Sequence, residues 1–215
     1  MKKKVDLIIF DFDGTLVDSQ KDIINSVNAM LAKAGLEPKK PSVISNFIGK
    51  GVKQLVIDAL GDDKPLSIDA AVKIYKDIYR EHMFDNTVLY PDTSGILKYF
   101  KDKIKVIISN KSAEFIKAAL ERFAIEEFFI KVSGADNEKY KKPSPRPILK
   151  MLTELKIKQA KAVIVGDSPL DIEAGANAGI LTCGALYGIG KKEEVIASRP
   201  DFLISSISEL KDIIE

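Results

Sequence analysis

The sequence of 215 residues contains one cysteine, one histidine and no tryptophan. A single cysteine, Cys183, cannot form an intramolecular disulfide, and no cluster of cysteine and histidine is present to hold structural zinc. Any metal ion must therefore bind to oxygen ligands. Net charge is also small, because 33 basic residues against 31 acidic ones give +2. This balance argues against a nucleic-acid-binding protein with a broad basic surface, but it is compatible with a small anionic ligand.

The sequence has no apolar run that approaches the roughly 18 residues of a membrane-spanning helix. Lysines at positions 2–4 precede an apolar stretch, as in a signal peptide, but Asp6 interrupts this stretch, and Asp11 and Asp13 end it. We therefore expect a cytoplasmic protein that binds no membrane. With 46% hydrophobic and 30% charged residues, the composition is typical of an ordered globular protein.

Short apolar runs rich in Val, Ile and Phe alternate with helix-like segments. This alternation predicts an α/β fold in which helices cover both faces of a parallel sheet. The predicted strands are residues 5–10, 105–109, 128–132, 162–165, 180–183 and 202–204. Between the first two strands the pattern is purely helical, with amphipathic stripes that start near Ile24, Val52 and Ile68. We interpret residues 17–87 as an all-helical domain inserted into a core domain of residues 1–16 and 88–215.

Polar residues follow several of the predicted strands, where ligands bind in an open parallel sheet. The first strand ends in Asp11-Phe12-Asp13-Gly14-Thr15. Gly14 permits a sharp turn that brings the two carboxylates onto one ligand, although an Asp-Gly turn with both carboxylates in solvent is the alternative. The second strand ends in Ser109-Asn110-Lys111, just before a predicted helix that starts near Ser112. This arrangement suits phosphate binding, and helix capping is the alternative.

The third and fourth strands are followed by a lysine and by a pair of acids. Lys142 precedes Pro143 near the start of a helix, where a solvated basic loop is the alternative. The fourth strand ends in residues 166–171, in which Asp167 follows a glycine and Asp171 lies in the first turn of a helix. For Asp171, a favourable interaction with the helix dipole is the alternative. Such a set of acids, hydroxyl and lysine at four strand ends favours a catalytic site over a purely structural role.

These four motifs, in this order and at this spacing, resemble those of the haloacid dehalogenase superfamily. The resemblance covers almost the whole chain. It implies a Rossmann-like doubly wound core with a helical cap, and residues 200–207 resemble the end of phosphoglycolate phosphatase-like members. The dehalogenases and the phosphonate-cleaving members lack an acid at the position of Asp13, so both activities are disfavoured.

The residues also indicate a reaction. Asp11 is the expected nucleophile on phosphorus and gives an aspartyl-phosphate. Asp13 is expected to protonate the leaving group and then to accept a proton from the attacking water. Carboxylates around a phosphoryl group repel one another, and magnesium is the natural cation to offset them. By resemblance, its ligands are Asp11, the main-chain carbonyl of Asp13, and Asp167, with Asp171 behind them or acting through water.

Other residues are expected to bind the substrate. Ser109, the Asn110 amide and Lys142 are predicted to hold the phosphoryl oxygens, and Thr15 of the first motif is grouped with them. Substrate choice must come from the cap, and the candidate there is Lys50, between Gly49 and Gly51, as a partner for a substrate carboxylate. The alternative is a glycine-flanked turn with solvated lysines.

Four functions fit the sequence. The first is a magnesium-dependent phosphatase for a small organic phosphate, with 2-phosphoglycolate as the best guess. The others are a phosphosugar mutase resembling beta-phosphoglucomutase, a nucleotide or pyrophosphate phosphatase, and a non-enzymatic phosphate-binding module. The last would be expected to lack Asp11 or Asp13, and both are present. The expected partner is a small phosphate ester, without nucleic acid or membrane, and the chain is expected to be a monomer or homodimer.

Two further residues are not expected to take part in catalysis. His82 lies on the apolar stripe of the third inserted helix, where a lone histidine is usually packed or half-exposed. Cys183 lies within a predicted strand and resembles a small buried hydrophobic residue.

Overall fold

The computed structural model of the protein describes residues 2–62, 65–135 and 138–215. Six strands form a parallel sheet in the order β5-β4-β1-β6-β7-β8, and two short strands, β2 and β3, pair antiparallel. In chain order the strands are β1 (Leu7–Phe10), β2 (Val17–Asp18), β3 (Val88–Leu89), β4 (Ile104–Ile108), β5 (Lys131–Ser133), β6 (Ala162–Gly166), β7 (Leu181–Ala185) and β8 (Phe202–Ile204). The chain runs outward from β1 in one direction and then returns to β6 on the other side. Strand order therefore reverses beside β1, which is where such sheets bind ligands.

Helices cover both faces of this sheet, as the sequence predicts. They are α1 (Gln20–Lys33), α2 (Pro41–Ile44), α3 (Val52–Leu60), α4 (Ile68–His82), α5 (Thr93–Tyr99), α6 (Ala113–Arg122), α7 (Arg146–Leu155), α8 (Pro169–Ala178), α9 (Lys192–Ala197) and α10 (Leu210–Ile213). Side chains of β1 alternate between two cores: Leu7 and Ile9 pack with residues of α7 and α8, whereas Ile8 and Phe10 pack with residues of α5, α6 and α10. All four residues of β1 are buried, which explains its unbroken apolar run.

The helices α1 to α4 occupy the chain between β2 and β3, and we call residues 20–82 the helical insertion. Val17 pairs with Leu89 and Asp18 with Val88, so the two ends of this insertion lie side by side. Helices α1, α3 and α4 pack together through their apolar stripes, which explains their amphipathic pattern. The division into a core domain and an inserted domain at residues 17 and 87 stays a prediction.

Predicted and observed strands differ mainly at their ends, but the purely helical pattern between the first two predicted strands missed the short strands β2 and β3. The largest difference is in the third predicted strand, residues 128–132, which runs instead as Lys131–Ser133. Of the apolar residues before it, Phe128 ends a 3-10 turn, Glu126–Phe128, and Phe129 follows that turn and is buried in the core. Ile130 is exposed, and its main-chain N–H donates to the carbonyl of Lys105 in β4 at 3.0 Å. The first strand begins at Leu7 rather than at Val5, although Val5 is fully buried. Among the described helices, none is long and apolar enough to cross a membrane.

Candidate active site

A cavity of about 100 Å³ lies between the carboxyl end of the sheet and the helical insertion. Its floor comes from the segments that follow β1, β4 and β6, together with residues 189–190 after β7. Its roof comes from α1, α3, α4 and the loop before α3. The predicted residues Asp11, Asp13, Ser109, Asn110 and Asp167 all line this cavity. The sheet thus brings together three of the four motifs at one surface, with the fourth directly beneath it.

Lys142, from the remaining motif, lies under the floor between two acids. Its Nζ is 2.8 Å from Oδ1 of Asp11 and 2.5 Å from Oδ1 of Asp171. Only the contact with Asp171 has hydrogen-bond geometry, so Oδ1 of Asp11 keeps an ion pair but no hydrogen bond among the described residues. Burial lowers the pKa of Lys142, but Asp11 and Asp171 raise it by more, so that the pKa lies above its usual value. Lys142 is therefore a buried cation beside the carboxylate of Asp11.

Asp167 is held rigidly at the end of β6. The main-chain N–H groups of Ile189 and Gly190 each donate to its Oδ2 at 2.8 Å, and the Thr15 hydroxyl donates to Oδ1 at 3.3 Å. Gly14 makes this packing possible, because a Cβ there would lie 2.0 Å from Oδ2 of Asp167 and its φ is +80°. Thr15 is thus brought to the site, but the structure places its hydroxyl on Asp167.

The acids of the floor form an oxygen-rich cluster. Carboxylate oxygens of Asp11, Asp167 and Asp171 lie within 4.8 Å of one another, and all three residues are buried. Burial, together with the nearby Asp11 and Asp171, raises the pKa of Asp167 to about 8, although the hydrogen bonds from Ile189 and Gly190 lower it in part. A cluster whose acids disfavour one another's charged forms is stabilised by a cation, and its all-oxygen donors suit magnesium. The observed chemistry therefore fits the predicted metal.

Asp171 has both of its carboxylate oxygens engaged by protein groups. One contacts Lys142, and the other accepts from the main-chain N–H and hydroxyl of Ser168 at 3.1 and 2.6 Å. The contacts with Ser168 form a capping box at the start of α8. Burial raises the pKa of Asp171, whereas Lys142 lowers it, with a net upward shift. This residue fixes Lys142 and the start of α8 beneath the other acids.

Asp13 lines the cavity and is held by its own set of contacts. Nζ of Lys111 is 2.9 and 3.1 Å from its two carboxylate oxygens, and the Ser19 hydroxyl donates to Oδ1 at 2.5 Å. Lys111 also donates to the hydroxyl oxygen of Tyr79 in α4 at 2.7 Å. This chain of contacts connects Asp13 to the roof of the cavity.

Asn110 joins three segments through its side chain. Its Nδ2 donates to the main-chain carbonyls of Gly49 and Lys142 at 3.0 Å each, and its Oδ1 accepts from the N–H of Lys142 at 2.8 Å. Ser109 Oγ accepts from the main-chain N–H of Lys111 at 3.3 Å. Among the described residues the serine hydrogen has no acceptor, so it can donate to a ligand. The Asn110 side chain therefore organises the site, and its main-chain N–H is left for a ligand.

The structure does not bring Lys50 to the cavity. Its side chain is 50% exposed, and its Nζ lies 3.6 Å from Oδ2 of Asp58. The flanking Gly49 and Gly51 do line the cavity, so the loop faces the site while the lysine between them points to the surface. Nearby side chains that line the roof are apolar, including Ile48, Val52 and Leu55.

The two residues that the sequence sets aside lie outside the cavity. His82 is exposed at the end of α4, where its Nδ1 is 2.9 Å from Oδ2 of Asp85. Cys183 is buried in β7, and burial raises the pKa of its thiol to about 12. Neither has the surroundings of a reactive group.

Sequence reasoning missed Lys111, Tyr79 and Ser19. Lys111 directly follows Ser109-Asn110 at a strand end, so its position alone could have marked it. Tyr79 gave no such signal, because it lies on the apolar stripe of α4 and its ring packs edge-to-face on Phe115 at 5.0 Å. A tyrosine whose ring is in the core and whose hydroxyl is in a site cannot be told from an ordinary core residue by periodicity.

Fold and site together define an α/β enzyme whose carboxylate cluster lies at the point where strand order reverses, under a helical roof. A family model for haloacid dehalogenase-like hydrolases matches residues 8–185, and the chain belongs to this family of hydrolases. It is 36% identical over 216 residues to the phosphoglycolate phosphatase of Psychrobacter arcticus, with 96% of this chain and 94% of that protein covered. It is 35% identical to the phosphoglycolate phosphatase of Aquifex aeolicus, with 97% and 96% covered.

A solved structure shows the same fold over nearly its whole length. The crystal structure of a predicted phosphoglycolate phosphatase from Haemophilus somnus superposes with a TM-score of 0.91 at 24% identity, and 97% of each chain is covered. At this identity the likeness concerns the fold.

Proposed function

We propose that this hydrolase is a magnesium-dependent phosphatase that cleaves a small phosphate monoester, 2-phosphoglycolate, through an aspartyl-phosphate. The observation that carries the proposal is the position of Asp11, which lines the cavity beside the buried cation Lys142 and within reach of Asp167. The choice of 2-phosphoglycolate is supported by the names of relatives that match this chain over nearly its full length.

In the first step, a carboxylate oxygen of Asp11 bonds to phosphorus as the bond from phosphorus to the ester oxygen breaks. The departing alkoxide takes a proton from Asp13, which leaves glycolate and a phosphorylated Asp11. In the second step, a water molecule attacks the same phosphorus and loses a proton to Asp13. The bond to Asp11 then breaks, and phosphate and the original carboxylate are released.

The phosphoryl oxygens need donors that are in place before the reaction. The Ser109 hydroxyl and the main-chain N–H of Asn110 serve this role in our proposal, since the Asn110 side chain is occupied by Gly49 and Lys142. The buried ammonium of Lys142 neutralises charge that develops on Asp11 and on the phosphoryl group.

Asp11 and Asp167, with the main-chain carbonyl of Asp13, are the proposed ligands of the magnesium ion. When bound, this ion neutralises phosphoryl charge and aligns the phosphoryl group with its nucleophile. Asp171 contributes by holding Lys142, since both of its oxygens are already engaged. Thr15 contributes by orienting Asp167.

The helical insertion serves as the cap in this proposal. Its apolar side chains over the cavity keep bulk water from the aspartyl-phosphate, and its contacts with the leaving group set the choice of substrate. This role corresponds to the inserted domain that the sequence predicts at residues 17–87.

Replacement of the proposed nucleophile tests the reaction. Asp11→Asn keeps the shape of the side chain but removes the anionic oxygen, so phosphate release from 2-phosphoglycolate should fall by a factor of about 10⁴ or more. Phosphate release is measured on protein whose mass excludes deamidation, and circular dichroism confirms the fold. Asp6→Asn, which changes an exposed carboxylate of the same kind, is the matched control. Retention of substantial turnover by Asp11→Asn would refute the mechanism.

A further inference from the structure

Lys111 is the feature of the cavity that the proposed reaction does not use. Of the described residues that line the cavity, it alone has a cationic side chain. That side chain is 8% exposed and is held between Asp13 and Tyr79. A nearly buried ammonium in a cavity that takes an anionic substrate is expected to contact that substrate.

Tyr79 supplies a second donor beside this lysine. Its hydroxyl oxygen accepts from Lys111, so its own hydrogen is directed elsewhere, and no acceptor for it is found in the described part of the chain. Burial, together with the charge of Asp13, raises the pKa of Tyr79 well above its usual value, so the hydroxyl keeps its hydrogen at neutral pH. The Tyr79 hydroxyl can donate this hydrogen to a carboxylate, and the ammonium of Lys111, 2.7 Å from the hydroxyl oxygen, places a positive charge beside that carboxylate.

The start of α6 holds Tyr79 in this position. Nζ of Lys76 and Nη2 of Arg80 each lie 3.0 Å from a carboxylate oxygen of Glu114, and the Tyr79 ring packs on Phe115. Contacts from two successive turns of α4 therefore anchor this helix above the cavity. The tyrosine hydroxyl is placed by a rigid element, which suits a residue that selects a substrate.

The pair also lies on the side of the cavity where the leaving group must be. In the proposed reaction Asp13 protonates the ester oxygen, and Lys111 contacts the same carboxylate at 2.9 and 3.1 Å. In 2-phosphoglycolate, a single methylene carbon separates the ester oxygen from the carboxylate. A carboxylate at that distance from Asp13 is within reach of Lys111, whereas Lys50 is paired at the surface with Asp58.

We propose that Lys111 and Tyr79 form the binding site for a carboxylate on the leaving group, and that Lys111 rather than Lys50 selects the substrate. This inference rests on the proposed phosphatase function and deepens it. The surrounding roof is mostly apolar, and Lys111 is the one cation among the described residues that line the cavity, so a carboxylate has no better partner there. The side chains of Ile48, Val52 and Leu55 offer nothing to the hydroxyl groups of a sugar.

The test compares two substrates that differ in one charge. The ratio of kcat/KM for 2-phosphoglycolate to kcat/KM for its carboxamide analogue measures selection of the carboxylate. Lys111→Met should lower this ratio by about 10- to 100-fold, because the nearly buried positive charge beside the substrate carboxylate is lost. Tyr79→Phe should lower the ratio by about 3- to 10-fold. Lys111→Arg keeps the positive charge, so its ratio should lie between those of Lys111→Met and the unmodified protein. Lys50→Met should leave the ratio unchanged.

Each alternative has its own result. Since Lys111 also contacts Asp13, an equal loss on both substrates would show that it only positions the acid, and would overturn the inference. If the ratio fell in Lys50→Met but not in Lys111→Met, Lys50 and not Lys111 would be the residue that binds the substrate carboxylate. Failure of the unmodified protein to hydrolyse 2-phosphoglycolate would refute the proposed function, whereas hydrolysis with an unchanged ratio in Lys111→Met would refute this inference alone. Thermal unfolding of each variant shows that its fold is intact.

Discussion

Asp22 is a buried carboxylate that takes no part in the proposed chemistry. It lies in the first turn of α1 and accepts hydrogen bonds from the main chain and side chains of Asn86 and Thr87, at 2.7 to 2.9 Å. These bonds fasten the start of the helical insertion to the residues that follow its end. A side chain at one end of a long segment thus satisfies four donors at the other end, which makes its role structural.

We expect Asp22→Asn to lower the free energy of unfolding by about 2–3 kcal/mol, because several hydrogen bonds to a charged group are weakened or lost. Burial raises the pKa of Asp22, but the hydrogen bonds from Asn86 and Thr87 lower it by more, with a net downward shift. The carboxylate therefore stabilises the fold fully above its unfolded pKa of about 3.9. This stabilisation is lost as pH falls through the lower pKa of the folded state.

Urea unfolding of the unmodified protein and of Asp22→Asn across pH checks this expectation. The difference between their free energies of unfolding should be constant from about pH 6 to pH 8 and should shrink below about pH 4. Asp6→Asn, at an exposed position, should change stability by no more than about 0.5 kcal/mol. A difference between Asp22→Asn and the unmodified protein that grows as the pH falls would contradict the assignment.

At the scale of elements, β6 and α8 pack so closely that a glycine is required between them. A Cβ on Gly166, the last residue of β6, would lie 2.2 Å from Cγ of Asp171 in α8. Asp171 contacts Lys142, so a displacement of Asp171 would also displace Lys142 beneath the floor of the cavity. The strand cannot yield, because it is hydrogen-bonded on both sides within the sheet.

We therefore expect Gly166→Ala to lower kcat/KM for p-nitrophenyl phosphate by about 100-fold or more, since small displacements of catalytic groups are costly. Gly95→Ala is the matched control. Gly95 lies within α5 with nothing within 4 Å of an added Cβ, so alanine there should raise stability by about 0.5–1 kcal/mol and leave turnover unchanged. Normal activity in Gly166→Ala would show that Asp171 and Lys142 need not be held so closely.

For the whole molecule, the carboxylates of the site come from distant parts of the chain. Asp11 and Asp167 are brought together only by the parallel pairing of β1 with β6. An unfolded chain has no such cluster, so a metal ion that binds there stabilises the folded state alone. Metal binding and global stability are therefore linked.

Magnesium at about 100 times its dissociation constant should raise Tm by about 5–10 °C. The same addition should have little effect on Asp167→Asn, which lacks one proposed ligand. Scanning calorimetry with and without EDTA measures the shift, and potassium chloride at matched ionic strength controls for screening. An equal magnesium shift in both proteins would place the ion elsewhere.

The sequence alone determined much of this molecule. Alternating apolar runs predicted the parallel sheet, and the helical stripes at Ile24, Val52 and Ile68 predicted the inserted helices, because the periodicity of buried residues is local information. The four motifs predicted which strand ends carry the chemistry, and all of them meet at one cavity or directly beneath it. Strand ends were less certain, as in residues 128–132, because the apolar run begins at the end of a 3-10 turn and continues through Phe129 before the strand starts.

Only the tertiary structure decided which side chains face one another. Lys50, between two glycines, was the natural candidate in the sequence, yet it lies at the surface beside Asp58, while Lys111 enters the cavity. The sequence pattern predicts that Tyr79 is an ordinary core residue of α4. In the structure, the packing of α4 on α6 places its hydroxyl beside Lys111. Periodicity determines which face of an element is buried, but the partner that it meets there depends on how distant elements pack. That packing is fixed by contacts between residues far apart in the chain.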